Sequence, residues 1–196
     1  MKTLTQKESE ALLTVFKDFS NYYNANSISK ILGISRIGAM KIFRRLLKEN
    51  IVEYKKIGKS IIYKPKLNDD YVCKLIAFLL VDEANNFKRW KEEFKELFKE
   101  DRIILLFGSA IKNYNSARDI DIMIIAKNKE SKEINAVLRE KESLLPKKIH
   151  SIKLTAEDLS NNINSKNKAI IDIIKNAVVL YGQDRYVEVI KNVAGF

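Results

Sequence analysis

Asp119 and Asp121 stand one residue apart in the run Arg118-Asp-Ile-Asp-Ile-Met-Ile-Ile125. In an extended strand, side chains two residues apart point to the same face. The run therefore sets two carboxylates side by side and turns Ile120, Ile122 and Ile124 the other way, into a core. Paired like charges repel, so they are costly as a structural device. They become favourable when Mg²⁺ sits between them and bridges phosphate oxygens. Upstream, the apolar stretch Ile103–Phe107 ends in Gly108-Ser109. A Gly-Ser pair at a helix start lets backbone N–H groups and the hydroxyl approach a phosphate, with the helix dipole favouring its negative charge.

The combination resembles the G-S…D-x-D signature of the polymerase-β-like nucleotidyltransferase superfamily, especially its small minimal members. The resemblance spans residues 101–182 and includes a closing Val-Val-Leu-Tyr-Gly182. It implies transfer of a nucleoside monophosphate from a nucleoside triphosphate to an acceptor hydroxyl, with pyrophosphate leaving. Gly108 and Ser109 would then hold the triphosphate, with Lys112 neutralising phosphate charge. Asp119 and Asp121 would be the catalytic acids and the ligands of Mg²⁺ or Mn²⁺. Active members also carry a third carboxylate on a later strand. The matching strand here is Lys148–Leu154, where His150 or Ser151 occupies the position expected for that acid. His150 is either a stand-in base or an ordinary packed or surface residue.

The chain carries a net charge of +11, and its basic excess is concentrated in the first third. Residues 1–70 hold 14 Lys/Arg against 7 Asp/Glu, the remaining 126 hold 22 against 18. That asymmetry points to a polyanion partner for the first part. The pattern there predicts a helix over Thr5–Phe19 and a short one over Ser27–Leu32 begun by Ser27 or Ser29 and stopped at Gly33. A third follows from Ser35 to about Glu49, with Asn50 at a left-handed C-terminal position. Ile51–Lys56 and Ser60–Lys64 then read as a hairpin around Ile57-Gly58-Lys59. This order resembles a winged helix-turn-helix. Ile28, Ile31, Leu32, Ile34, Ala39, Ile42, Phe43 and Leu46 are its expected core. The resemblance implies double-stranded DNA as partner, with Arg36, Met40 and Lys41 at base edges and Arg44 and Arg45 at phosphates. Lys55, Lys56 and Lys59 would sit on the wing, against the backbone.

Between the two parts, Asn68-Asp69-Asp70 reads as a linker, followed by helices over Tyr71–Val81 and Glu83–Glu100. From Arg102 the pattern becomes Ile103–Phe107 and Ile120–Ala126 as strands, Ser131–Leu144 as helix and Ile149–Leu154 as strand. A helix over Ser165–Asn176, a strand over Val178–Tyr181 and a last helix from Asp184 complete it. One Cys and one His exclude a disulfide framework and an ordinary zinc site. No apolar run reaches the ~20 residues a membrane span needs, and residues 1–10 show no signal segment, so a cytoplasmic protein is expected.

The resulting expectation is an α+β chain of two domains. Residues 1–68 form a winged helix-turn-helix, and residues 69–196 form a small mixed-sheet nucleotidyltransferase-like α/β domain with two N-terminal helices at 69–100. The functional expectation is a dimeric DNA-binding transcriptional regulator whose second domain binds nucleotide and Mg²⁺. The alternative is an active nucleotidyltransferase modifying a protein, an RNA or a small molecule, in the manner of an antitoxin acting on its partner.

Overall fold

A computed structural model of the chain describes residues 3–193. Two compact units divide at Leu79/Leu80, later than the expected linker at Asn68-Asp69-Asp70 and inside a helix.

The first unit contains α1 (Gln6–Lys17), α2 (Ala25–Leu32) and α3 (Arg36–Lys48), followed by the antiparallel strands β1 (Val52–Ile57) and β2 (Ser60–Pro65). Thr5 and Glu8 close a reciprocal cap on α1, and the Ser35 hydroxyl accepts from the Gly38 amide at the start of α3. α2 begins earlier than its sequence suggests. Asn24 accepts from the Ser27 amide while the Ser27 hydroxyl accepts from the Asn24 amide, so Ser27 is a third helical residue and Asn24 the cap. Asn50 adopts the expected left-handed conformation at φ 57°. Leu12, Phe16, Ile28, Ala39, Phe43 and Leu46 are fully buried, whereas Ile31, expected in this core, is 52% exposed. Gly58-Lys59 turns the hairpin, with Ile57 paired to Ser60.

α4 (Asp70–Asn85) begins in the first unit and ends in the second. The two expected helices here are divided differently. α4 runs unbroken through Val81-Asp82-Glu83, because nothing in that sequence stops a helix, and it ends at Asn85. Then come the short α5 (Lys88–Glu93) and a 3₁₀ turn at Lys95–Leu97.

The second unit is a four-stranded mixed sheet of order β5-β4-β3-β6. β3 (Ile103–Phe107) runs antiparallel to both β4 (Ile120–Ile125) and β6 (Val178–Tyr181). β5 (Ile149–Leu154) runs parallel to β4 and is reached through α7 (Ser131–Leu144). The four-residue α6 (Ser109–Lys112) follows β3 directly. Ile104, Leu106, Ile120, Ile122, Ile124, Val178 and Leu180 form one apolar face, closed by Trp90, Phe94 and Leu97 and by Ile134 and Leu138 of α7. This accounts for the aromatic side of residues 87–98. It is packed against its own sheet.

The remaining segment holds two helices where one was expected. α8 (Ala156–Asn164) is capped by Thr155 with Asp158, and α9 (Lys168–Asn176) is capped by Asn167. α10 (Gln183–Val193) ends the described chain, and α8 and α10 pack together and on the sheet. The Thr155 cap has the Ser/Thr-x-x-acid spacing of a helix start.

Arg102, at the entry to β3, is 1% exposed, yet its guanidinium donates to Glu130 at 2.6 Å and Glu133 at 2.8 Å. A buried cation is tolerated only when paired. We predict that Arg102→Ala destabilises the protein by roughly 2–3 kcal/mol. Arg102→Met, of similar length, should recover part of the loss. Denaturant midpoints measure both, and an unchanged midpoint for Arg102→Ala would contradict this role.

Candidate functional site

Phe107, the last residue of β3, pairs with Asp121, the second residue of β4. The turn into α6 therefore lies over the start of β4. Gly108 makes that turn with φ 77°. A Cβ at position 108 would fall 2.0 Å from an Asp121 carboxylate oxygen and 3.2 Å from the Asp121 Cβ. Glycine is thus required twice, for a conformation that L side chains rarely adopt and for the space the carboxylate fills.

On the other side, the parallel register sets His150 of β5 opposite Asp121 and Ser151 opposite Ile122. Residues directly paired across strands share a face. Of the two residues that the sequence left open, His150 therefore joins the acids and Ser151 faces away from them. His150 Nδ1 lies 3.7 Å from Asp119 Oδ2 and 3.7 Å from Asp121 Oδ1. Burial pushes the Asp121 carboxyl above the usual carboxylate range, repulsion from Asp119 adds to this, and His150 opposes it. Gly108 and Ser109 are exposed at the start of α6 and Lys112 is exposed at its end.

The donor set suits a divalent cation: two hard carboxylate oxygens face one space and repel each other until positive charge arrives. Among the described residues, no three His, Cys, Asp or Glu side chains stand ready-made as a metal cluster, so a cation would have to draw these groups inward. A second depression of about 410 Å³ lies at the opposite ends of β4 and β5, beside Lys127, Thr155 and Arg185. Its cations are taken: Lys127 and Arg185 both donate to Asp101.

Sequence reasoning missed the group that holds the loop leading into the acids. Lys147 donates to the carbonyls of Tyr114, at 2.7 Å, and of Ala117. Its ammonium also lies 4.6 Å from the centre of the Tyr114 ring, and the Arg89 guanidinium covers that ring at 3.8 Å. No local pattern announces a lysine that satisfies backbone carbonyls some thirty residues away.

In the first unit, Phe43 of α3 stacks on Tyr63 of β2 with ring centroids 4.0 Å apart, and the Tyr63 amide donates to the Tyr23 carbonyl at 2.9 Å. A groove of about 180 Å³ between α3 and the hairpin is lined by Asn24, Arg36, Met40, Lys59 and Tyr63, among others. Arg36, Lys41, Arg44, Lys55, Lys56 and Lys59 are all exposed. Arg45 is not part of this set. It donates to both Glu8 carboxylate oxygens at 2.9–3.0 Å and to the Thr3 carbonyl, tying α3 to α1.

Residues 92–186 match the model of the family described as Polymerase beta, Nucleotidyltransferase. The matched stretch contains β3, Gly108-Ser109, both acids, His150 and β6. No curated protein and no solved structure is significantly similar to the chain.

The raised Asp121 carboxyl has a sign that can be checked. Its pKa in the fold lies above the unfolded value of 3.8, so stability present below that value is lost as pH rises through the folded one. At neutral pH the ionised group therefore opposes folding. In the presence of a chelator, Asp121→Asn is expected to melt above the parent chain at pH 7. The difference should shrink as pH falls toward 3.8. A variant that melts below the parent at pH 7 would show that Asp121 supports the fold instead.

Proposed function

We propose, for a chain whose residues 92–186 form a polymerase β nucleotidyltransferase domain, that it is a DNA-binding regulator with a nucleotide-responsive second unit. The observation that carries the nucleotide half is the convergence of Gly108, Asp119, Asp121 and His150 at one end of the sheet. Gly108 and Ser109 approach the triphosphate through backbone amides and a hydroxyl, Lys112 adds positive charge, and Asp119 and Asp121 hold the cation. When bound, Mg²⁺ or Mn²⁺ would offset the charge of the phosphates and of the two acids. The chain's own residues fix the geometry: Gly108 lets the turn close on Asp121, and Lys147 holds the loop before Asp119.

The DNA half is supported by the helix–helix–helix–hairpin order, read as a winged helix-turn-helix, and by the basic groove between α3 and the hairpin. Arg36, Met40 and Lys41 read base edges from the exposed side of α3. Arg44, Lys55, Lys56 and Lys59 contact phosphates. Arg45, occupied by Glu8, supports α3 from behind and is withdrawn from the contact set. Ile37, 67% exposed beside Arg36, is suited to a thymine methyl. A homodimer reading two half-sites completes the proposal, with Tyr71 and Phe78, both exposed on α4, as its seam.

The second reading, an active nucleotidyltransferase, is favoured by the intact Gly-Ser and paired acids. In that case the acceptor hydroxyl loses its proton and bonds to the α-phosphorus, while the bond from that phosphorus to the bridging oxygen breaks and pyrophosphate departs. Transfer of label from an α-labelled nucleoside triphosphate to an acceptor separates the two readings.

For DNA, Arg36→Ala combined with Lys41→Ala should weaken binding to a selected duplex at least tenfold, since base-reading contacts contribute about 1–3 kcal/mol each. Lys59→Ala should instead lower the salt slope of binding by about one unit. Electrophoretic or anisotropy titrations at several salt concentrations measure both. Unchanged affinity in the double variant would exclude α3 as the reading helix.

A further inference from the structure

His150 stands opposite Asp121 on β5 and meets both acids, and it is an imidazole where a carboxylate would complete an all-oxygen site. Metal bonds of roughly 2.1 Å place adjacent donors about 3.0–3.4 Å apart, depending on geometry. The 3.7 Å separations from Nδ1 to Asp119 Oδ2 and Asp121 Oδ1 lie a few tenths of an ångström outside that range. The His150 side chain is 60% exposed, so it has room to close that gap.

From this geometry we infer that His150 is a metal ligand, and that it shifts the site from Mg²⁺ toward a first-row transition ion such as Mn²⁺. The inference rests on the nucleotide–cation reading of Asp119 and Asp121. Mg²⁺ favours an all-oxygen octahedron and sheds its water reluctantly, whereas imidazole nitrogen binds first-row transition ions better, least so Mn²⁺ and increasingly along the series to Cu²⁺. The cation would sit between the two acids and His150. Gly108 matters here as well, because its missing Cβ leaves the Asp121 carboxylate where it faces His150.

His150 is the only histidine in the chain, which makes the test direct. In protein purified without a histidine tag, any imidazole nitrogen coupled to bound Mn²⁺ in pulsed electron paramagnetic resonance must come from His150. The expected result is bound Mn²⁺ with nitrogen coupling, and loss of that coupling in His150→Ala. In calorimetric titrations His150→Asp should bind Mg²⁺ more tightly, so that the preference for Mn²⁺ over Mg²⁺ falls about tenfold or more. Mn²⁺ that binds without nitrogen coupling, but is lost in Asp119→Asn/Asp121→Asn, would overturn the role of His150 and leave the cation site standing. No Mn²⁺ binding at all, in the presence or absence of a nucleoside triphosphate, would overturn both.

Discussion

The close approach of Gly108 to the Asp121 carboxylate organises the second unit's functional end. β3 delivers the turn, β4 delivers the acid, and their antiparallel register brings Phe107 and Asp121 together. Any side chain at 108 would strike the carboxylate, so the glycine and the acid fix each other's geometry. The parallel pairing of β4 with β5 then adds His150 in the same row. One turn and one register thus build a site from residues that lie more than forty positions apart in the chain.

The site works against stability, and the surroundings offset this. Asp121 is partly buried beside a second acid, an arrangement whose ionised form the fold resists. Around it, β3 and β4 are almost continuously apolar and buried on both faces, which gives the acids a rigid base. Arg102 anchors the far end of β3 to the start of α7 through Glu130 and Glu133. Lys147 and Arg89 hold the loop that feeds Asp119. Buried Glu8 and Arg102 are ion-paired at 2.9 Å and 2.6 Å, whereas the acids at the sheet end face His150 at 3.7 Å. That contrast separates scaffold from site.

Much of this was legible locally. β3, β5, β6 and α7 begin and end where apolar runs and breakers place them, and Thr5, Ser35 and Asn50 cap their helices as their side chains dictate. The paired acids and Gly-Ser stood out because no apolar pattern accounts for them. What escaped depends on distant partners. Arg45 looks like a free cation on α3 until α1 brings Glu8 against it, and Lys147 looks like a surface lysine until the loop at 114–117 arrives. The choice between His150 and Ser151 needed the register of β5 against β4, which strand period alone does not supply. The α4 boundary was misplaced because the change from apolar to charged residues at Val81 resembles a helix end, whereas the backbone breaks only after Asn85.

The central claim is that Gly108, Asp119 and Asp121 form a cation-dependent nucleotide site. The most direct measurement is equilibrium binding of each of the four nucleoside triphosphates to the full chain. It is made with Mn²⁺, with Mg²⁺ and with chelator, beside an Asp119→Asn/Asp121→Asn variant of confirmed fold. The account predicts saturable binding of at least one nucleotide that requires the cation and disappears in the variant. Binding that survives in chelator and in the variant, or no binding to the parent chain under any of these conditions, would contradict it.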